Sequence, residues 1–346
     1  EAREAMYRNA AEAGDYRILA RRRRKETASE VQDGSGNRSS GAEAWETGMS
    51  VTVLSGIGGS ADEEATVQYK PLLGPVQATP PPDPDGLYEA LSREFPWMDG
   101  PNRAAALAAA TSARVGGCFR LRPLLLVGPA GCGKSRWTRR MAALSGARFH
   151  AESMSGANNS VSVVGTERGW KSARPSLPVI AMSQCACANP VLLADEVDKT
   201  QSGANGNLLD GLLPLLEKET AMRYMDRFLL GAVDDSNVSW VLTANSVASL
   251  PQPLLDRVQV LRIERPARRH WKSAANSLTL EAASAAGFTE DDPVTGDARA
   301  AAYEVLSSGG SLRSAASAAA EVFEKVTWSP KPRLEIVSEA LLPRSP

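Results

Sequence analysis

The sequence predicts an α/β fold, a parallel five-stranded sheet sandwiched by helices and followed by a small all-helical region. Three observations predict it. The apolar run Pro123-Leu-Leu-Leu-Val127 leads into Gly128-Pro-Ala-Gly-Cys-Gly-Lys-Ser135 and then into the helix-favouring Arg136-Trp-Thr-Arg-Arg-Met-Ala-Ala-Leu144; strand, glycine-rich loop and helix in that order build a phosphate cradle. Strand-like runs then alternate with helix candidates, the pattern of a parallel sheet covered on both faces. After Pro266 no convincing strand follows.

Taken in order, residues 1–86 differ from the rest. A short helical stretch runs into Arg21-Arg-Arg-Arg-Lys25, then into Gly/Ser/Asn-rich sequence, and Pro80-Pro-Pro-Asp-Pro84 closes the segment as a stiff, extended linker. This arm is expected to be largely disordered, or ordered only against a partner. The basic run fits a solvated helix end as well as a nucleic-acid contact. A nucleotide-binding α/β domain is expected over 87–265. Its helix candidates are Leu87 to Phe95, Asn102 to Ala113, Leu177 to Ala188 and Asn207 to Glu217. Its strands are 123–127, Arg148 to Glu152, Val191-Leu-Leu-Ala-Asp195, Ser239 to Ala244 and Val258 to Arg262. Helices at Arg268 to Ala286, Asp297 to Ser307 and Leu312 to Val326 make a helical region over 266–330, and 331–346 reads as a tail.

A formal charge of −1 over 346 residues gives no global pull toward nucleic acid or an anionic membrane, although a local patch stays open. No apolar stretch is long enough to span a membrane, and the start lacks the apolar region of a secretory signal. The first residue is Glu, so the chain can begin inside a longer one. Cys118, Cys132, Cys185 and Cys187 form no C-x-x-C pair and read as reduced thiols of a cytoplasmic protein. His150 and His270 share no metal-ligand spacing.

The chemistry gathers around the loop. The backbone of Gly128, Pro129, Ala130, Gly131, Cys132 and Gly133 would cradle phosphates, Lys134 would reach the β- and γ-phosphates of ATP, and Ser135 would hold Mg²⁺. Asp195 ends an apolar strand where a carboxylate holds the same ion through water, and Glu196, one residue further, is free to polarise an attacking water. Asn245, at the end of Ser239 to Ala244, is placed to orient that water, though Asn there also serves as a turn former. Arg257, in Pro253-Leu-Leu-Asp-Arg257, could enter a neighbouring subunit's site or form a surface ion pair with Asp256. Ser311 caps the last long helix and Arg313 sits in its first turn, where a nearby phosphate explains a cation better than helix stability does.

Asn189-Pro-Val-Leu-Leu-Ala-Asp-Glu-Val-Asp-Lys199, Leu208 to Glu217, Thr243-Ala-Asn245 and Pro253-Leu-Leu-Asp-Arg257 together resemble the ATPase module of Lon-type AAA+ proteins, over about residues 87–326. The resemblance implies Lys134 and Ser135 as the Walker A pair and Asp195 and Glu196 as Walker B. It likewise implies Asn245 as first sensor, Arg257 as arginine finger and Arg313 as second sensor. It also implies a ring, typically a hexamer, with an aromatic pore residue ahead of the Walker B strand. Counting back reaches Trp170, which fits a substrate-gripping pore residue or a core tryptophan equally. Only 33 residues follow Arg313, so no Lon-type peptidase domain is expected in this chain.

The expected function is Mg-ATP hydrolysis by an oligomeric ring that remodels protein substrates, alone or for a separate partner protein. The alternative is a nucleic-acid-associated ATPase of loader or helicase type, disfavoured by the near-neutral charge. A non-hydrolysing switch fits least, because the hydrolytic residues are all present.

Overall fold

The computed structural model describes residues 49–59, 63–156, 160–170, 173–200 and 207–327. The basic run at 21–25, the rest of 1–48 and the tail at 331–346 lie outside the described residues. The chain divides into two compact units between Ala274 and Ala275.

In the first unit, β1 (Ser50–Val51) pairs antiparallel with β2 (Val76–Gln77), with α1 (Glu63–Thr66) and a 3₁₀ turn (Val67–Leu73) between them. Helices α2 (Pro84–Glu94) and α3 (Asp99–Arg114) lead to β3 (Leu124–Val127) and α4 (Lys134–Leu144). Then come β4 (Phe149–Ser153), α5 (Val161–Val164), α6 (Leu177–Cys185), β5 (Val191–Asp195), α7 (Leu208–Leu216) and α8 (Lys218–Ala221). A hairpin of β6 (Tyr224–Asp226) and β7 (Gly231–Val233) precedes β8 (Ser239–Ala244), α9 (Gln252–Leu255) and β9 (Gln259–Arg262).

Strands β4, β5, β8, β3 and β9 lie side by side in that order, every neighbouring pair parallel. The central strands carry apolar residues at nearly every position because both faces are covered. Leu125, Val127, Leu192, Ala194, Leu242 and Ala244 pack into one layer with α6 and α7. Leu124, Leu126, Val191, Leu193 and Val241 pack into the other with Leu91, Phe95, Trp137 and Met141 of α2, α4 and the turn after α2. A period-two backbone sends alternate side chains to opposite layers.

The expectation of a disordered arm over 1–86 does not hold for the described part of it. Val53, Leu54, Tyr69, Leu72, Val76 and Ala78 are buried in the first layer. Leu54 bridges Val233 of the hairpin, and Ser55 N–H donates to the Ala232 carbonyl at 3.0 Å. The glycines that suggested low complexity permit close backbone approach: a Cβ on Gly231 would lie 1.9 Å from the Gly56 carbonyl oxygen. Further on, the wholly buried Asn189 accepts from Thr79 N–H at 2.7 Å and donates to the carbonyls of Thr79 and Phe119 at 3.0 and 2.8 Å. The proline-rich stretch is not only a linker either. Asp83 caps α2 by accepting from Gly86 N–H at 2.8 Å, and Pro84 is the first helical residue.

The second unit holds most of α10 (Trp271–Ala286), with α11 (Pro293–Ser307) and α12 (Leu312–Thr327). Ala298, Ala302 and Leu306 of α11 and Ala315, Ala319 and Phe323 of α12 are buried, and Phe323 stacks on Phe288 with ring centres 5.1 Å apart. Small residues let the two helices approach closely. The division falls later than the expected residue 266, because His270 lies against Trp97 (ring centres 6.3 Å apart) and the segment up to Ala274 belongs to the first unit.

Two predictions follow from this packing. Leu54→Ala removes a buried side chain that joins the N-terminal segment to the hairpin, so chemical denaturation should show a loss of about 2–5 kcal/mol; a surface-like loss would mean the segment adds nothing to the core. Asp235 is buried with no hydrogen-bond partner on either carboxylate oxygen, and burial, then the charge of Asp234, push its pKa well up. The folded state therefore holds this proton more tightly than the unfolded chain. Its contribution is fully present below the unfolded value of about 3.9 and is lost as pH rises through the folded value. Asp235→Asn should raise the melting temperature at about pH 7.5 and leave it nearly unchanged near pH 3.5; an equal shift at both values would rule out the titration.

Candidate functional site

Because β3, β5 and β8 are parallel, all three end at the same edge of the sheet, and the glycine-rich loop crosses that edge between β3 and α4. Gly131 (φ 75°) and Gly133 (φ 100°) take the left-handed conformation. A Cβ on Gly128 would lie 2.2 Å from the Ile263 carbonyl oxygen, so only glycine fits where the loop leaves β3. Cys132 is buried, and burial pushes its thiol up, which leaves it a protonated packing group. Its carbonyl accepts from the Trp97 indole at 3.1 Å. The buried Lys134 ammonium donates to the carbonyls of Gly128 (2.6 Å) and Pro129 (3.2 Å) and to Asn245 Oδ1 (3.2 Å). A buried ammonium requires such oxygens.

Ser135 Oγ donates to the Asp195 carboxylate, 2.9 Å from Oδ1 and 3.0 Å from Oδ2. The Thr243 hydroxyl also donates to Asp195 Oδ1, and it accepts from Glu196 N–H at 3.0 Å. Glu196 has φ 61°, a left-handed turn just past the strand, and its Oε1 lies 2.5 Å from the Lys199 ammonium. Asp198 Oδ2 accepts from the backbone N–H groups of Asn245 (2.9 Å) and Ser246 (3.2 Å), which fixes the turn that carries Asn245. The structure thus brings Lys134, Ser135, Asp195, Glu196 and Asn245 together. Thr243 and Asp198 went unassigned at the level of sequence, although both lie inside the stretches that carry the other site residues.

The remaining candidates stand apart. Arg257 does not pair with Asp256, whose carboxylate accepts from Gln252 instead. Its guanidinium donates to the Pro253 carbonyl at 3.0 Å and lies 3.5 Å from Glu217 at the end of α7. Trp170 is not a core residue: it is 71% exposed, on a loop beside Gly169 (φ 99°), whereas Trp137 and Trp240 fill the core. Arg313, in the second unit, is exposed in the first turn of α12, which Ser311 caps by accepting from Ser314 N–H at 3.1 Å. His150 is half-buried on β4, and burial lowers its pKa; among the described residues no group of three His, Cys, Asp or Glu could hold a metal.

The donors at the loop fit a nucleotide and its cation. A hydroxyl and a carboxylate within 3 Å of one another offer the hard oxygens that Mg²⁺ takes. The left-handed glycines and the N-terminus of α4 suit an anion. A parallel sheet in this strand order, with a glycine-rich loop after β3 and adjoining acids at the end of β5, is the α/β P-loop fold of AAA type.

Comparison with known proteins agrees. The family model for the ATPase family associated with various cellular activities (AAA) matches residues 124–265. The chain is 39% identical over 140 residues to the Lon protease of Chlamydia muridarum, 36% over 140 to Lon protease 2 of Hydrogenovibrio crunogenus, and 35% over 140 to the mitochondrial Lon protease homolog of Neurospora crassa. Each match covers 40% of this chain but only 17%, 16% and 13% of those relatives. Among solved structures, a closed-state cryo-EM reconstruction of Hsp104 with ATPγS and FITC casein is similar with a TM-score of 0.50 at 16% identity, over 70% of this chain and 46% of that one. The matched segment is similar to part of the Lon proteases and to the AAA family model, and the chain spans less than a fifth of the length of those relatives. No helix among the described residues is long and apolar enough to cross a membrane.

Proposed function

We propose that this chain binds Mg-ATP at the Gly128–Ser135 loop and hydrolyses it as one subunit of a ring that remodels protein substrates. The observation that carries the reading is the convergence of Lys134, Ser135, Asp195, Glu196 and Asn245 at one edge of the sheet. The backbone of Gly128 through Gly133 receives the phosphates, and Lys134 exchanges its carbonyl partners for β- and γ-phosphate oxygens. Ser135 and Asp195 hold the magnesium ion, which when bound supplies charge neutralisation at the phosphate oxygens. Glu196 polarises the attacking water, and Asn245 orients it between the loop and the acids.

Arg257 is held near the surface by Pro253 and Glu217 rather than turned into its own loop, which supports a role on a neighbouring subunit's nucleotide. Activity then requires assembly, and a hexamer is the proposed size. Arg313 is proposed as a further nucleotide-binding residue. The exposure of Trp170 supports its role as a pore residue that grips an unfolded polypeptide. The proposed reaction is ATP hydrolysis without peptidase chemistry in this chain, and the free cysteines fit a reducing, cytoplasmic compartment.

Glu196→Gln should lower ATP turnover at least about a hundredfold while fluorescent ATP still binds; turnover at the parent rate would remove Glu196 as the water activator. Stimulation of the parent by unfolded protein supports the remodelling role, whereas stimulation by DNA or RNA alone favours the nucleic-acid reading. Arg257→Ala should lower turnover by about a hundredfold or more. Mixing it with Glu196→Gln subunits should restore part of the activity, because each supplies the group that the other lacks. No loss on substitution, or no recovery on mixing, would defeat the inter-subunit arrangement.

A further inference from the structure

We infer that Thr243 is a positioning residue for hydrolysis, holding both acids of the site through one hydroxyl. The inference rests on the nucleotide-hydrolysing reading above. Thr243 is buried near the end of β8, opposite Leu126 of β3. Its Oγ1 makes two bonds of opposite sense: it donates to Asp195 Oδ1 and accepts from Glu196 N–H at 3.0 Å. Only a hydroxyl can do both at a single atom in this space.

Each bond addresses a separate demand. Asp195 already receives the Ser135 hydroxyl on both oxygens, and a carboxylate with only that contact could rotate about its Cβ–Cγ bond. The Thr243 hydroxyl pins Oδ1 from the neighbouring strand, which fixes the carboxylate plane facing the loop. Glu196, in turn, occupies a left-handed conformation that a glutamate adopts only under constraint. The bond from its N–H to Thr243 constrains that residue's backbone and helps to set the direction in which the side chain leaves the strand. Loss of the hydroxyl frees the carboxylate plane and the turn together, while Lys134 and the glycine loop keep their own partners. The defect should therefore fall on the chemical step and on the cation rather than on nucleotide affinity.

The test compares Thr243→Val, which keeps the branched shape and removes the hydroxyl, with Thr243→Ser, which keeps the hydroxyl. Thr243→Val should lower kcat at least about tenfold with KM for ATP changed less than about threefold, and Thr243→Ser should return kcat to within about threefold of the parent. A second readout needs no turnover: the Mg²⁺ dependence of fluorescent-ADP binding should shift to higher Mg²⁺ in Thr243→Val, while binding without Mg²⁺ stays at the parent value. Should Thr243→Val fail to fold, Thr243→Ala takes its place in both measurements. Parent-like turnover and Mg²⁺ dependence in the hydroxyl-free variant would overturn the inference, as would a Thr243→Ser variant as slow as Thr243→Val. A parent chain that hydrolyses no ATP would instead sink the underlying reading, so the two failures are distinguishable.

Discussion

Parallel pairing of β5 with β8 and of β8 with β3 is the constraint on which the site depends. Ala194 lies opposite Leu242, and Leu126 lies opposite Thr243, so the three strands finish level with one another. Thr243 shares its face of β8 with Val241, which packs in the layer that contains Trp137 and Met141 of α4. A slip of one residue would exchange Thr243 for Leu242 or Ala244 and turn the hydroxyl into the opposite layer. The core therefore determines where the polar groups sit: apolar side chains set the register, and the register delivers the hydroxyl to Asp195.

At that edge, charge is held by short polar contacts. Lys134 takes three oxygens, Asp195 takes hydroxyls from two different elements, and Asn245 is tied to Asp198 by its backbone and to Lys134 by its side chain. Groups more than a hundred residues apart in the chain thus share one network. Buried charges are costly unless paired or hydrogen-bonded, so such a network favours a single arrangement of its members. A phosphate entering the loop competes for the same Lys134 ammonium that the Gly128 and Pro129 carbonyls hold, which links the conformation of the loop to what binds there.

Much of this was legible in the sequence, and the parts that were not have a common physical cause. Strands 191–195 and 239–244 read correctly to the residue because buried parallel strands are unbroken apolar runs bounded by polar ones. The segment from 49 to 86 misled because its strands are two residues long and its buried residues follow no helical or strand period. Its partners, Val233 and Asn189, are more than a hundred residues away. The β6–β7 hairpin, with three-residue strands, was invisible for the same reason. At the candidate site, residue types singled out Lys134, Ser135, Asp195 and Glu196, and the structure brings these side chains together. That Arg257 meets Glu217 and not Asp256 depends on where α7 ends, which local pattern does not encode.

The left-handed backbone at Glu196 has an evolutionary consequence. Glycine or asparagine would relax that turn, and such a replacement is the ordinary route by which a fold sheds local strain. Here the relaxed residue would lack the carboxylate. If Glu196 has the proposed role in hydrolysis, selection for a sturdier fold and selection for chemistry pull in opposite directions at this position, and a lineage that no longer needed hydrolysis would be free to lose its glutamate first and keep the rest of the architecture.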